Sequence, residues 1–250
     1  MRVLASNLFW AFFVLTLPPM FAVALAIFLV TFPFDRNGLV LHLFSCFWGQ
    51  LYIHVNPLWR TRVEGRSLLP WKGGAVLVAN HESMADILVL YGLYRPFKWV
   101  SKASVFKAPF LGWNMWLNRY IPLVRGDKES IATMMAQCHR WLARGVPVLM
   151  FPEGTRSEDG VVKAFKDGAF KMAVAARCPV YPIVLTGTAR TLPKHGYLLE
   201  ESVNALVRVL PPVDVAPFGE DFAALRDHVR NLIVEEKARM ELAMGPKRVT

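Results

Sequence analysis

Residues 75–86 read AVLVANHESMAD, and the fold turns on how this stretch is parsed. A short, unbroken apolar run closed by polar residues has the pattern of a strand buried on both faces. Asn80 and His81 end the run. Ser83 and Asp86 then stand at the S-x-x-D spacing of a helix-capping box, so a helix starts almost at once. A strand that passes into a helix through so short a turn is the joint of an α/β layer.

The same joint recurs downstream. Apolar runs at 97–101, 120–124, 146–151, 179–186 and 205–210 read as further strands, with helical stretches near 84–94, 103–117, 128–144, 166–176 and 218–243. The alternation predicts an α/β fold with a mixed, largely parallel sheet flanked by helices. Ligands of such sheets sit beyond the carboxyl ends of the strands. Pro122 removes a ladder donor from the run at 120–124, which predicts an edge or bulged strand there. No repeat or low-complexity linker interrupts residues 60–250, which read as one domain.

Residues 1–59 differ in kind. Their charged residues are Arg2, Asp35 and Arg36, and two uncharged stretches, 3–34 and 37–59, flank the Asp35–Arg36 pair. About 20 apolar residues suffice to span a bilayer core, so both stretches are long enough to insert. Pro18 and Pro19 predict a kink or a split in the first. A cleaved signal peptide is the alternative, but its apolar part would exceed the usual ~7–15 residues and another apolar segment follows directly. The expectation is an N-terminal hydrophobic helical membrane hairpin, spanning or monotopic. Positive charge at Arg2, Arg60 and Arg62 places both ends on the cytoplasmic side of a cell (inner) membrane.

The whole chain of 250 residues carries a net charge of +10, of which residues 1–59 supply +1. A basic domain behind an apolar hairpin suits anionic lipid headgroups or acidic partners. The Lys and Arg residues are scattered without a recognition helix or motif, which argues against nucleic acid. Cys46, Cys138 and Cys178 are far apart and odd in number, giving neither a metal spacing nor a disulfide framework and pointing to a reducing compartment.

Three places carry chemistry. His81 and Asp86, five apart, cannot share a face of one straight helix, but they meet if His81 lies in the turn and Asp86 in the first helical turn. Capping and a His–carboxylate pair are thus compatible readings of one geometry. FPEGTRS (151–157) offers backbone N–H groups, a hydroxyl and a guanidinium near one point, a set that suits phosphate; a solvated turn is the plain alternative. Arg125 ends the run YIPLV and would meet the same anion. There is no G-x-S-x-G elbow, no G-x-x-x-x-G-K-[ST] and no H-E-x-x-H. A base without a protein nucleophile or metal points to direct transfer onto a substrate hydroxyl.

NHESMAD (80–86) resembles the NHxSxxD block of the PlsC-like glycerolipid acyltransferases. RYIPLVRG (119–126), FPEGTRS (151–157) and VYPIVLTG (180–187) resemble that family's second, third and fourth blocks, in order. SVFKAPFLGW (104–113) and FKDGAFKMA (165–173) are similar to its connecting segments. The resemblance implies that His81 is the general base and Asp86 its orienting carboxylate. It also implies an acceptor site shaped by Arg125, Glu153, Gly154, Thr155 and Arg156; Asn80 and Ser83 of the first block are further substrate-binding candidates, and Lys102 is added as a phosphate neighbour. The implied activity is transfer of a fatty acyl group from acyl carrier protein or coenzyme A to the free hydroxyl of lysophosphatidic acid. The thioester is a co-substrate, and no cofactor or metal is expected. Another lysolipid acceptor, a lysophospholipid or lyso-ornithine lipid, would use the same base, and a non-enzymatic membrane-binding protein is the reading from another class.

Overall fold

The computed structural model describes residues 2–56, 59–157, 159–189, 191, 197–199 and 203–244. Its strands are β1 (Trp59–Glu64), β2 (Val76–Ala79), β3 (Lys98–Lys102), β4 (Ile121–Leu123), β5 (Val148–Met150), β6 (Val180–Thr186) and β7 (Val203–Val209). They form one sheet in the order β1-β7-β6-β2-β5-β3-β4. Every pairing is parallel except that between β6 and β7. The mixed, largely parallel sheet expected from the alternation is therefore present. β4 is the strand that holds Pro122, and it lies at the sheet's edge, where a missing ladder donor costs nothing.

Strand parity explains the unbroken apolar runs. Leu77, Ala79, Leu149, Ile183 and Leu185 point into one core, and Val76, Val78, Val148, Met150, Val180 and Val184 into the other. The first core is roofed by α1 (Arg2–Thr31), α2 (Leu39–His54), α3 (Ala85–Tyr91) and α4 (Leu111–Leu117). The second is roofed by α5 (Lys128–Ala143), α6 (Gly168–Ala176) and α7 (Phe222–Met244). Both faces are dry, so residues of both parities are apolar. β1 escaped the sequence reading because its WRTRVE alternates with charge at the end of a sheet.

The two apolar N-terminal segments form helices of different character. α1 runs unbroken through Pro18 and Pro19, so the expected split does not occur. The carbonyls that the two prolines free are those of Val14 and Leu15, and apolar helices tolerate such prolines when neighbouring groups take up the freed carbonyls. α1 is long and apolar enough to cross a membrane, and only 6% of its most apolar 18-residue window is buried. α2 instead buries Leu41, Cys46, Trp48, Tyr52 and Ile53 in the first core.

The link between these helices is fastened by a buried lysine. Lys98 Nζ donates to the carbonyls of Asn37 and Asn118, each at 2.8 Å, and lies 4.6 Å from the Trp141 ring. Burial, with Arg119 adding to it, pulls the Lys98 ammonium down to about 7. An unfolded lysine titrates near ~10.4, so between pH 7 and that value the unfolded chain holds a proton that the folded chain has lost. Stability should therefore rise with pH across this window, at up to about 1.4 kcal/mol per pH unit. Denaturation midpoints in detergent at pH 7–10 should show the rise in the parent and lose it in Lys98→Met. An equal slope in both proteins would assign it elsewhere.

Candidate active site

Four parallel neighbours, β2, β5, β3 and β4, deliver their carboxyl ends to one edge of the sheet. The residues after them are, in spatial order, His81, the 151–157 turn, Lys102 and Arg125. Three of the sequence motifs, with Lys102, thus line up along one edge. Adjacent strands lie ~4.8 Å apart, which puts Arg125 about 14 Å from His81 at the backbone. Lys102 occupies the strand between the Arg156 turn and Arg125, and Lys102, Arg125 and Thr155 are exposed.

His81 sits in the turn after β2, and its Nδ1 lies 2.8 Å from Asp86 Oδ2. Asp86 is wholly buried in the first turn of α3. The same Oδ2 accepts the backbone N–H groups of Glu82 at 2.7 Å and Ser83 at 2.9 Å. Ser83 Oγ accepts from the Ala85 N–H at 3.3 Å. The carboxylate thus serves the capping box and the histidine at once. With Nδ1–H donated to Asp86, the Nε2 lone pair is the basic one. Nε2 has no hydrogen bond to any described residue, and the imidazole stacks on Phe151 at 3.9 Å and 12°.

The remaining residues build this turn. Asn80 exchanges two hydrogen bonds with the Leu185 backbone, at 2.9 and 2.8 Å, and so ties the end of β2 to β6. Glu153 is buried and accepts the His81 N–H at 2.8 Å and the Lys163 N–H at 3.0 Å, while the Ser157 N–H donates to the His81 carbonyl at 2.8 Å. Both Glu153 oxygens are occupied by the protein itself, so this side chain joins the first and third motifs. Burial lifts its carboxyl above the usual range, against the pull of the two N–H groups. Gly154 has φ 70°, and a Cβ there would stand 2.9 Å from Lys166 Nζ, so an ammonium overhangs the turn. Arg156 is half-buried next to the His81 segment, and its carbonyl accepts from Lys163 Nζ at 2.9 Å.

Sequence reasoning missed four contributors. Phe151 orients the imidazole, as above. Thr188 Oγ donates to Asp86 Oδ1 at 2.5 Å, carried there by Gly187, whose φ is 89° and whose added Cβ would fall 2.0 Å from the Asn204 carbonyl. Lys237 of α7 lies 3.0 Å from Glu82, buried beside Asp86; burial lifts the Glu82 carboxyl and Lys237 opposes the rise. Lys166 is the fourth. A hydroxyl directly behind VYPIVLTG was a usable signal for Thr188; Lys237 lies in a charged run that reads as helix surface. No group of His, Cys, Asp and Glu residues fit to hold a metal occurs among the described residues.

A family model described as "Acyltransferase" matches residues 60–186. The chain is 37% identical over 210 residues to a 1-acyl-sn-glycerol-3-phosphate acyltransferase of Chlamydomonas reinhardtii, covering 82% of this chain and 63% of that protein. It is 30% identical over 208 residues to the Salmonella typhimurium protein of the same description, covering 81% and 84%. It spans 58% of a chloroplastic relative from Brassica napus, so it falls short of two thirds of the plant and algal relatives' length. The crystal structure of the 1-acyl-sn-glycerophosphate acyltransferase PlsC from Thermotoga maritima has the same fold, with a TM-score of 0.75 at 24% identity over 96% of this chain and 98% of that one. The chain belongs to the acyltransferase family, in the PlsC-like group that its four blocks resemble.

The Glu153 clamp is testable by itself. Hydrogen bonds to a charged acceptor are worth about 1.5–3 kcal/mol each, partly offset by the cost of burying the carboxylate. Glu153→Ala should cost about 2–4 kcal/mol of stability, and Glu153→Gln less, read from denaturant midpoints in detergent. An unmoved midpoint in Glu153→Ala would detach the carboxylate from the support of the His81 turn.

Proposed function

We propose that the protein is a membrane-bound acyltransferase that transfers a fatty acyl group from a thioester to the free hydroxyl of lysophosphatidic acid, giving phosphatidic acid. The observation that carries this reading is the His81–Asp86 pair, with Nε2 open at the carboxyl edge beside a row of cations. Two relatives of the same description, together covering most of this chain, support the acceptor class.

In this reading Nε2 removes the acceptor's hydroxyl proton as the oxygen attacks the thioester carbon. The tetrahedral intermediate collapses, the C–S bond breaks, and the proton held by His81 passes to the leaving sulfur. The acyl chain ends on the acceptor oxygen and the donor, acyl carrier protein or coenzyme A, leaves as a free thiol. Asp86 stabilises the transient imidazolium and holds the tautomer. Burial pushes the Cys138 thiol up to about 12 and the Cys178 thiol up to about 11, which makes either a poor nucleophile. Arg156, Lys102 and Arg125 form the track for the acceptor's phosphate, with Thr155 and Gly154 at its near end. The thin burial of α1, with Leu4, Leu8, Leu15, Leu29 and Val30 exposed, supports membrane insertion of α1, whereas α2 packs in the first core rather than standing free to insert beside it. The positive charge at Arg2, Arg60 and Arg62 is what supports a cytoplasmic position for residues 60–250.

His81→Ala should lower acyl transfer by about 10²–10⁴, the range of general-base contributions. Asp86→Asn, which keeps an oxygen for capping, should also be severe. Radiolabelled transfer by folded, detergent-purified variants measures both, and near-normal turnover in either removes the pair from the mechanism. Arg125→Ala and Arg156→Ala should each raise the acceptor's Michaelis constant by about one to two orders of magnitude, as expected for a charge-assisted contact. Lysophosphatidic acid should suffer far more than a zwitterionic lysophospholipid, whose phosphate is already esterified. Equal losses on both acceptors would favour another lysolipid and move the arginines off the phosphate.

A further inference from the structure

A second charged cleft opens at the amino edge of the sheet, away from His81. It encloses about 300 Å³ between the end of α4 and the end of α5, and its lining includes Trp116, Arg119, Tyr120, Arg140, Trp141 and Arg144. Arg119 spends one N–H on the Arg36 carbonyl at 2.7 Å, and its guanidinium lies 5.6 Å from the Phe32 ring. Arg144 lies 5.4 Å from the Trp141 ring. Behind that wall lies Lys98 Nζ, held by its two carbonyls, 4.6 Å from Trp141 and 5.9 Å from Tyr120. Among the described residues, no carboxylate forms an ion pair with Arg119, Arg140 or Arg144.

A helix C-terminus favours cations, which accounts for one arginine in the last turn of α5. It does not account for Arg119, which comes from the turn before β4. Three guanidiniums brought together from two elements repel one another, and an anionic ligand removes that repulsion. A planar guanidinium pair fits phosphate oxygens bidentately.

The rim identifies the source of the anion. Trp116 of the lining is 54% exposed, Phe32 beside Arg119 is 54% exposed, and Trp113, one turn earlier on α4, is 46% exposed. Trp113 packs on Phe21 of α1 at 5.5 Å, so the cleft adjoins the long apolar helix. Exposed Trp beside Arg at the border of an apolar face is the composition of a headgroup-level contact. We propose that this cleft binds the phosphate-bearing headgroup of an anionic phospholipid, at a site separate from the acceptor track at the carboxyl edge.

The test uses the full chain in neutral-detergent micelles, carrying Arg156→Ala to weaken the other phosphate candidate, and reads binding by calorimetry. It is thus independent of the acyl-transfer reading. Dihexanoyl phosphatidylglycerol should fill one saturable site, and dihexanoyl phosphatidylcholine and inorganic phosphate should each bind at least about tenfold more weakly. Adding Arg140→Gln with Arg144→Gln, both at exposed positions, should weaken phosphatidylglycerol about 30-fold, roughly fivefold per basic residue, with the thermal midpoint unmoved. Unchanged affinity in that variant, or equal binding of the two lipids, would overturn the proposal. Inorganic phosphate binding as tightly as the lipid would make this a free-anion site and overturn it too. So would acyl carrier protein binding that depends on the two arginines while lipid binding does not, because the cleft would then be a protein-docking face.

Discussion

Asp86 holds a full set of partners in a place that water does not reach. One of its oxygens takes the His81 imidazole and two backbone N–H groups, and the other takes the Thr188 hydroxyl. A carboxylate stripped of water is tolerated only when hydrogen bonds replace its hydration. Here the replacement comes from the turn after β2 and from the segment after β6. The strand-to-helix joint, the capping of α3 and the orientation of the histidine are consequences of satisfying one buried charge. Capping and chemistry, which compete as explanations of S-x-x-D, turn out to share an atom.

Around that charge the protein arranges support in layers. Glu153 and Asn80 are polar residues of the sequence motifs, yet they spend their hydrogen-bonding capacity on backbone groups of neighbouring segments. Their work is to keep the His81 turn fixed against β5 and β6. Glu82 extends the support to Lys237 on α7, so the C-terminal helix reaches the same turn. Cations without such internal duties among the described residues, Lys102, Arg125 and Arg156, stand along the carboxyl edge, where the proposed acceptor's phosphate would meet them.

Much of this was legible in the sequence because it is written in local patterns. Apolar runs closed by Asn-His or by Pro-Glu-Gly mark strand ends, and parallel topology carries strand ends to one edge. Pro122 announced an edge strand. What stayed hidden depends on contacts between distant segments. Lys237 is a core residue only because α7 lays that face against Glu82, and nothing in its neighbourhood distinguishes it from the solvated lysines of a charged helix. The two backbone partners of Glu153, the His81 and Lys163 N–H groups, have no local signal in FPEGTRS. β1 is a short edge strand with alternating charge, too weak a signal beside the apolar segment before it. The unbroken course of α1 through two prolines likewise depends on its surroundings rather than on helix propensity.

In the proposed mechanism transfer is direct: His81 would activate the acceptor oxygen, and no protein atom would carry the acyl group. Intact-mass spectrometry of the protein held with excess acyl thioester, in the absence of acceptor, tests this most directly. The expected result is an unmodified protein mass, with acyl product appearing only when the lysolipid is added. An adduct of one acyl mass that forms on the enzyme and disappears on adding acceptor would contradict it.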